Sequence, residues 1–268
     1  MTLSGRARTV LATVVGLVLL LVYAPLAVVV VSSFSSSKTF GWPPPSYTLH
    51  WWGAAWRSGG ALHAVGVSVQ VGLLAMSVAL VLGTMLAFAL SRYRFFGRNS
   101  LSLLVILPIA LPGIVTGMAL KNAFEVMLGI RLGYFTVVVA HATFCVVVVF
   151  NNVRARLNQL GGSIEEASMD LGASRWTTFR LVTFPLLRSA LLAGSLLAFA
   201  LSFDEIIVTT FTAGAGIDTL PIWINRNLFR PNQSPVVNVV GSCLILASIV
   251  PIYLSQRLSG STTGGGRV

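Results

Sequence analysis

Seven acidic residues are spread through 268 positions, and five of them fall in two places. Asp204 and Glu205 stand side by side within an apolar run, and Glu165, Glu166 and Asp170 sit in one polar stretch. A carboxylate in apolar surroundings attracts a cation or relays a proton, and its cost makes it a functional-site candidate. Adjacent helical positions differ by about 100°, so one of the two can line a cavity while the other pairs with a base or a neighbouring helix. A structural ion pair, or a local helix break that puts both in water, is the competing reading. Other chemistry is thinly represented. The lysines, Lys38 and Lys121, follow Ser37 and Leu120, so neither completes the Gly-Lys pair of a phosphate-binding loop. Cys145 and Cys243 lie in apolar runs with neither disulfide nor metal-ligand spacing. No nucleophile motif and no His/Cys cluster is present, and His141 is expected to hydrogen-bond among its helices. The sequence gives no case for catalysis, metal or a cofactor bound by this chain.

These groups must be positioned by elements that suit a bilayer. With 55% hydrophobic and 9% charged residues, the chain has too little charge to cover a soluble surface, and it is too apolar to be disordered. The net charge of +11 comes from basic residues scattered between apolar runs rather than gathered into a nucleic-acid patch. Six runs are long enough to be membrane helices: residues 10–31, 64–90, 101–120, 134–150, 189–212 and 236–254. They are continuously apolar, which argues against an alternating membrane barrel. The expectation is an all-α polytopic membrane protein with six transmembrane helices, forming a single transmembrane domain over 1–268. The first run is longer than a signal-peptide core and lacks a small-x-small cleavage site, so it reads as an uncleaved helix.

Orientation follows from the basic residues. With the N-terminus inside, cytoplasmic segments hold Arg6, Arg8, Arg92, Arg94, Arg98, Arg154, Arg156, Arg175, Arg180, Arg188, Arg257 and Arg267. The outer segments hold Lys38, Arg57, Lys121, Arg131, Arg226 and Arg230, half as many. Both termini are then cytoplasmic, with a disordered tail expected over 260–268. Outside, four tryptophans near Pro43-Pro44-Pro45 suggest an interfacial helix around 49–57, with an aromatic ligand cage as the alternative. In the third run, Pro108 and Pro112 allow a broken helix, while Gly113 and Gly117 favour close packing, the preferred reading. Lys121 and Glu125 are spaced for an ion pair.

One connection, 154–187, is long, polar and patterned. Ser163 and Glu166 have capping-box spacing, Gly172 can end the helix they start, and Ser174 can cap the next. Trp176, Phe179 and Leu181 give the second helix an apolar stripe, and Pro185 is expected to stop it before the fifth span. Such helices need a surface to bury against, either the bilayer and their own bundle or a partner protein.

Glu166-Ala167-Ser168, three residues, Gly172, nine residues and Val182-Thr183-Phe184-Pro185 resembles the cytoplasmic EAA loop of MetI-like ABC importer permeases. Ser168, Val182 and Phe184 depart conservatively from the usual Ala, Ile and Leu, while the Glu, Gly and Pro spacing is intact. The resemblance implies a loop that docks on an ATP-binding subunit through Glu166, Ala167, Ser168, Asp170, Gly172 and Pro185. ATP and Mg would then belong to that partner.

A second resemblance covers most of the chain. Ser202-Phe203-Asp204-Glu205, Thr209, Phe211-Thr212-Ala213-Gly214 and Thr219-Leu220-Pro221-Ile222-Trp223 are similar to the spermidine/putrescine subgroup. Leu107-Pro108, Leu111-Pro112-Gly113 and Tyr47-Thr48-Leu49 extend the likeness, which is nearest the second, C-type permease. It implies an inner-membrane complex with a partner permease, two ATP-binding subunits and a periplasmic or lipid-anchored solute-binding protein, with no nucleic acid. Asp204 and Glu205 would line the path of a cationic solute. Permeases for iron, thiamine or amino-acid-like amines share much of this architecture. A secondary transporter using Asp204 or Glu205 as a proton relay, and a non-transporting scaffold, are the competitors from other classes.

Overall fold

The apolar runs fold as helices, most of them longer than expected, and two are broken where the sequence reads as continuous. The computed structural model describes residues 4–39, 41–230 and 232–260, with the backbone alone for 249–260. The helices are α1 (Gly5–Ser32), α2 (His50–Arg57), α3 (Gly59–Arg92), α4 (Arg98–Ala110), α5 (Gly113–Asn122) and α6 (Tyr134–Leu160). They continue with α7 (Ser163–Asp170), α8 (Arg175–Thr178), α9 (Phe184–Phe203), α10 (Ile207–Thr212), α11 (Leu220–Asn227) and α12 (Ser234–Gly260). Wider π-helical turns extend α5 over Ala123–Met127 and join α8 to α9 over Phe179–Thr183.

The chain packs as two units, one of residues 1–62 with 224–268 and one of 63–223. In the first, α1 is apolar all round and exposes side chains such as Leu20 and Leu21 along most of its length, the pattern of a helix solvated by lipid. Its end packs on α12, where Val29 lies 3.5 Å from the position a Cβ on Gly241 would take. The loop after α1 closes on itself through Thr48 N–H to Phe34 O (2.7 Å) and Ser36 N–H to Ser46 O (3.0 Å). Phe34 stacks on Trp52 of α2, whose range falls within the helix expected at 49–57.

In the second unit α6 is the central helix, with Val137, Ala140, Cys145, Val149, Phe150, Val153 and Leu157 buried along it. The helix α3 presents it a stripe of small residues, among them Ala75, Ala79 and Ala87. Small side chains let backbones approach closely. A Cβ on Gly83 would stand 2.9 Å from the carbonyl oxygen of Val146, so only glycine fits that crossing.

The third run is α4 and α5, bent by 107° between Ala110 and Gly113. Pro112 lacks the donor that would continue the helix and drives Leu111 to an extended φ −82°, ψ 145°. Close packing is present as well, since Gly117 and Gly113 lie against Phe211 and Ile207 of α10. The broken helix and the close glycine packing thus occur together.

The fifth run departs further from expectation. The span does not continue from Ser189 through Thr212 as one helix. It starts earlier, with α9 preceded by helical turns from Arg175, and it ends at Phe203. Pro185 does not stop the preceding pattern; it sits in the first turn of α9, and the π-turn before it widens the ladder where the proline ring would clash. Counting the bent pair as one, the described residues hold five candidate spans. The sixth run lies on α12, whose apolar portion is described through Ser248; the side chains beyond it, and the tail at 261–268, lie outside the described residues.

Candidate functional site

The polar connection begins later than expected. Arg154 and Arg156 are still helical, because α6 runs on to Leu160. Arg154 Nη1 donates to Ser102 of α4 (2.7 Å), and Arg156 Nε donates to the carbonyl of Leu186 (3.1 Å), so both tie the end of α6 to its neighbours.

The helix α7 also starts differently. Ser163 is already helical, Gly162 holds the N-cap position, and the Ser163–Glu166 capping box does not form. The other end is as expected. Gly172 has φ +88°, its N–H bonds to the carbonyl of Met169 (2.9 Å), and the Ala173 N–H reaches Ser168 (3.2 Å). This pair of bonds satisfies the last carbonyls and needs a left-handed residue at the turn. Ser174 caps α8 through the Thr177 N–H (3.2 Å).

Glu166, Ala167, Asp170 and Gly172 are exposed, with Ser168 and Pro185 half-buried. The side chain that fastens α7 is Glu165, which was not among the expected site residues. Arg92 Nε lies 2.9 Å from its Oε2, and Arg92 Nη2 donates to its Oε1 (3.1 Å) and to the Gly161 carbonyl (2.7 Å). Thr183 donates to the same Oε1 (3.0 Å). Ser168 and Thr178, 3.0 Å apart, link α7 to α8. The partner Arg92 is 73 residues away, a distance no local motif encodes. Beside this network, Met85 and Phe88 of α3, Met169 and Phe184 border a largely apolar groove of about 890 Å³. Trp176 stacks on Phe179 (5.7 Å) and remains 69% exposed, while Leu171 is 90% exposed. A short helical platform thus shows acidic and apolar side chains outward while being held rigidly from behind.

The acidic pair sits at a helix break, not within a helix. Asp204 terminates α9 with φ −92°, ψ 0°, and Glu205 belongs to neither helix. Glu205 Oε1 accepts the Val208 N–H (2.8 Å), capping α10 with a carboxylate. Asp204 is exposed and Glu205 half-buried, and neither has an ion-pair partner among the described residues. The structural ion pair is therefore not what holds them. The end of α9 adds negative potential, because its last carbonyls lack helical partners and its dipole is negative there. Two carboxylates and a helix C-terminus at one point favour a cation.

Behind the break, His141 is fully buried on α6 and contacts both halves of the span. Nδ1 lies 2.7 Å from Ser202 Oγ of α9, and Nε2 lies 2.8 Å from Thr209 Oγ1 of α10. This bears out the expected role within the bundle. The ion pair of Lys121 with Glu125 is present at 4.0 Å on an exposed helix face, and Cys145 and Cys243 are free. Among the described residues no group of His, Cys, Asp and Glu could hold a metal.

The chain matches the family model described as binding-protein-dependent transport system inner membrane component over residues 79–262. It is 35% identical to the putrescine transport system permease protein PotI of Escherichia coli, covering 88% of this chain and 86% of that one. It is 32% identical to the spermidine/putrescine permease PotC of the same species over 91% of each, and 31% identical to PotC of Haemophilus influenzae over 88% and 91%. Two solved structures share the fold. A chain of a bacterial ABC transporter that imports alginate superposes with TM-score 0.71 at 18% identity, over 98% of this chain and 99% of that one. A chain of the inward-facing MetNI methionine transporter gives 0.56 at 17%, over 76% and 94%.

Proposed function

The chain belongs to the family of binding-protein-dependent transport system inner membrane components, and from that premise we propose that it is one permease subunit of an ATP-driven polyamine importer. The observation that carries the reading is the placement of two features on one helix. α9 begins beside the Glu166–Gly172 platform and ends at Asp204 and Glu205. Twenty residues of helix make a stiff rod of about 30 Å, the thickness of the hydrocarbon core. A push on the platform therefore moves the acidic break without an intermediate hinge.

In this reading both termini and the platform are cytoplasmic, and 1–268 acts as a single permease domain with the sixth span on α12. Glu166, Ala167, Ser168, Asp170, Gly172 and Pro185 form or support the docking face for one of two ATP-binding subunits, which bind ATP and Mg. A second permease of similar fold completes the passage, and a periplasmic or lipid-anchored binding protein delivers solute to it. The chain itself carries out no chemical step.

Asp204 and Glu205 supply the attraction for an alkyl diammonium solute. One ammonium at 4 Å from a carboxylate gains about 4 kcal/mol at an effective dielectric constant of about 20, before desolvation is charged against it. Such a solute moves against its gradient only with external work, which the partner ATPases provide. The likeness to PotI and PotC, named for putrescine and spermidine, supports this solute class.

Purification from the native membrane tests the assembly. A complex with a P-loop ATPase, lost on Glu166→Arg while the permease still inserts, is the expected result. A chain that transports alone in proteoliposomes under a proton gradient would establish the secondary-transporter reading instead.

A further inference from the structure

The break at Asp204–Glu205 leaves two helix ends that nothing in their own backbone holds together. α9 stops at Phe203 and α10 starts at Ile207, with a six-residue α10 too short to keep its place by helix propensity alone. What bridges them is one side chain on a third helix. His141 touches Ser202, two residues before Asp204, and Thr209, four residues after Glu205.

Proton counting fixes the direction of the Thr209 bond and, for a neutral ring, that of the Ser202 bond. The Thr209 hydroxyl donates to the Glu205 carbonyl (2.8 Å), so its proton is used and its oxygen can only accept from His141. Nε2 therefore carries the ring proton. In the neutral ring Nδ1 is then an acceptor, and it takes the Ser202 hydroxyl proton. The chain runs Ser202 O–H to Nδ1, Nε2–H to Thr209 Oγ1, and Thr209 O–H to the Glu205 carbonyl, with each donor and acceptor used once along it. A buried network satisfied in this way specifies one arrangement. Two other links from α6 flank it: Cys145 Sγ to the Ala198 carbonyl of α9 (3.2 Å) and Thr136 Oγ1 to the Thr212 carbonyl of α10 (2.8 Å). Neither reaches the residues at the break itself.

We infer that His141 is the positioning residue of the solute passage, holding Glu205 in place through Thr209 while anchoring the end of α9 through Ser202. The inference rests on the carboxylates lining that passage. His141 stands seven residues into α6, about 10 Å along its axis, and fixes the depth of the acidic break at that level. The two legs have separate duties. The Thr209 leg sets the backbone from which the Glu205 side chain projects, and the Ser202 leg keeps α9 from rotating under the pull of the platform.

The assembled complex with its binding protein, in proteoliposomes, tests this through the number of putrescine molecules taken up per ATP hydrolysed. Poor folding removes uptake and hydrolysis together, so this ratio isolates misplacement. His141→Leu is expected to lower the ratio about tenfold or more, since displacing a working group by about 1 Å can cost up to about 10²-fold. His141→Gln places an amide donor near the Nε2 position and is expected to recover it to within about twofold, whereas His141→Asn reaches only Ser202 and stays low. Thr209→Val is expected to match His141→Leu, with the double variant no worse than either. A parental ratio for His141→Leu, His141→Asn as good as His141→Gln, or additive losses in the double variant would overturn the inference. Asp204→Asn with Glu205→Gln separates the two levels. Normal uptake by that variant beside a low His141→Leu ratio overturns the passage reading, whereas the reverse pattern overturns the role of His141 alone.

Discussion

Arg92, the last residue of α3, and Glu165, in the first turn of α7, form a two-point ion pair that fixes the α7–α8 platform to the transmembrane bundle. Both side chains are about one-fifth exposed, sheltered enough for the pair to be worth more than a surface bridge. Glu165 also takes the Thr183 hydroxyl, so three elements meet on one carboxylate: the end of α3, the start of α7 and the π-turn leading into α9.

Removing that carboxylate should loosen the platform without unfolding the spans. Glu165→Ala is expected to cost about 2 kcal/mol of local order, the range for charge-assisted hydrogen bonds, and Glu165→Gln less because it still accepts from Thr183. Hydrogen exchange at amides 164–173 in the purified complex reads the effect directly. A double variant Arg92→Leu with Glu165→Leu should exchange no faster than the worse single variant.

Gly172 is held at φ +88° with open space around its Cα, so a side chain there meets no neighbour and only the backbone objects. Gly172→Val is expected to cost about 1–2 kcal/mol of the turn, and Gly172→Asn less, because Asn tolerates the left-handed region. Expressed as binding, the valine variant should weaken association with the ATP-binding partner about tenfold, measurable by titrating that subunit onto permease in nanodiscs.

Glu205 caps α10, and in the proposed function it also supplies charge to the passage; the two duties are separable. Glu205→Gln keeps an oxygen acceptor for the Val208 N–H and removes the charge, whereas Glu205→Ala removes both. Uptake should fall in each. Only the alanine variant should also lower the melting temperature of the complex, reflecting a lost cap of about 1 kcal/mol.

Much of the architecture was readable before folding. Hydropathy located the spans because lipid demands long apolar helices, and Gly172 and Ser174 announced their turn because a left-handed residue and an N-cap are local requirements. The departures have a common cause in non-local packing. The fifth run breaks at Asp204 although its flanks are apolar, since α6 supplies His141 to both sides and so replaces the backbone continuity that composition suggested. Pro185 was expected to end a helix, but a π-turn absorbed it. The capping box at Ser163 does not form: Gly162 holds the N-cap position, and Glu165, one residue before Glu166, pairs with Arg92. Glu166 falls within a family spacing and Glu165 does not stand out, because a structural ion pair across 73 residues leaves no local motif.

In the proposed function, ATP hydrolysis on a partner moves a polyamine past Asp204 and Glu205. The most direct measurement is putrescine and spermidine uptake, together with ATP turnover, by the reconstituted four-component importer carrying either the parent chain or Asp204→Asn with Glu205→Gln. Saturable uptake by the parent is expected, with each polyamine raising ATP hydrolysis, and a loss of uptake of about tenfold or more in the double variant, consistent with removal of a few kcal/mol of cation attraction. Unchanged polyamine uptake by that variant, or ATP turnover that no polyamine stimulates, would contradict it.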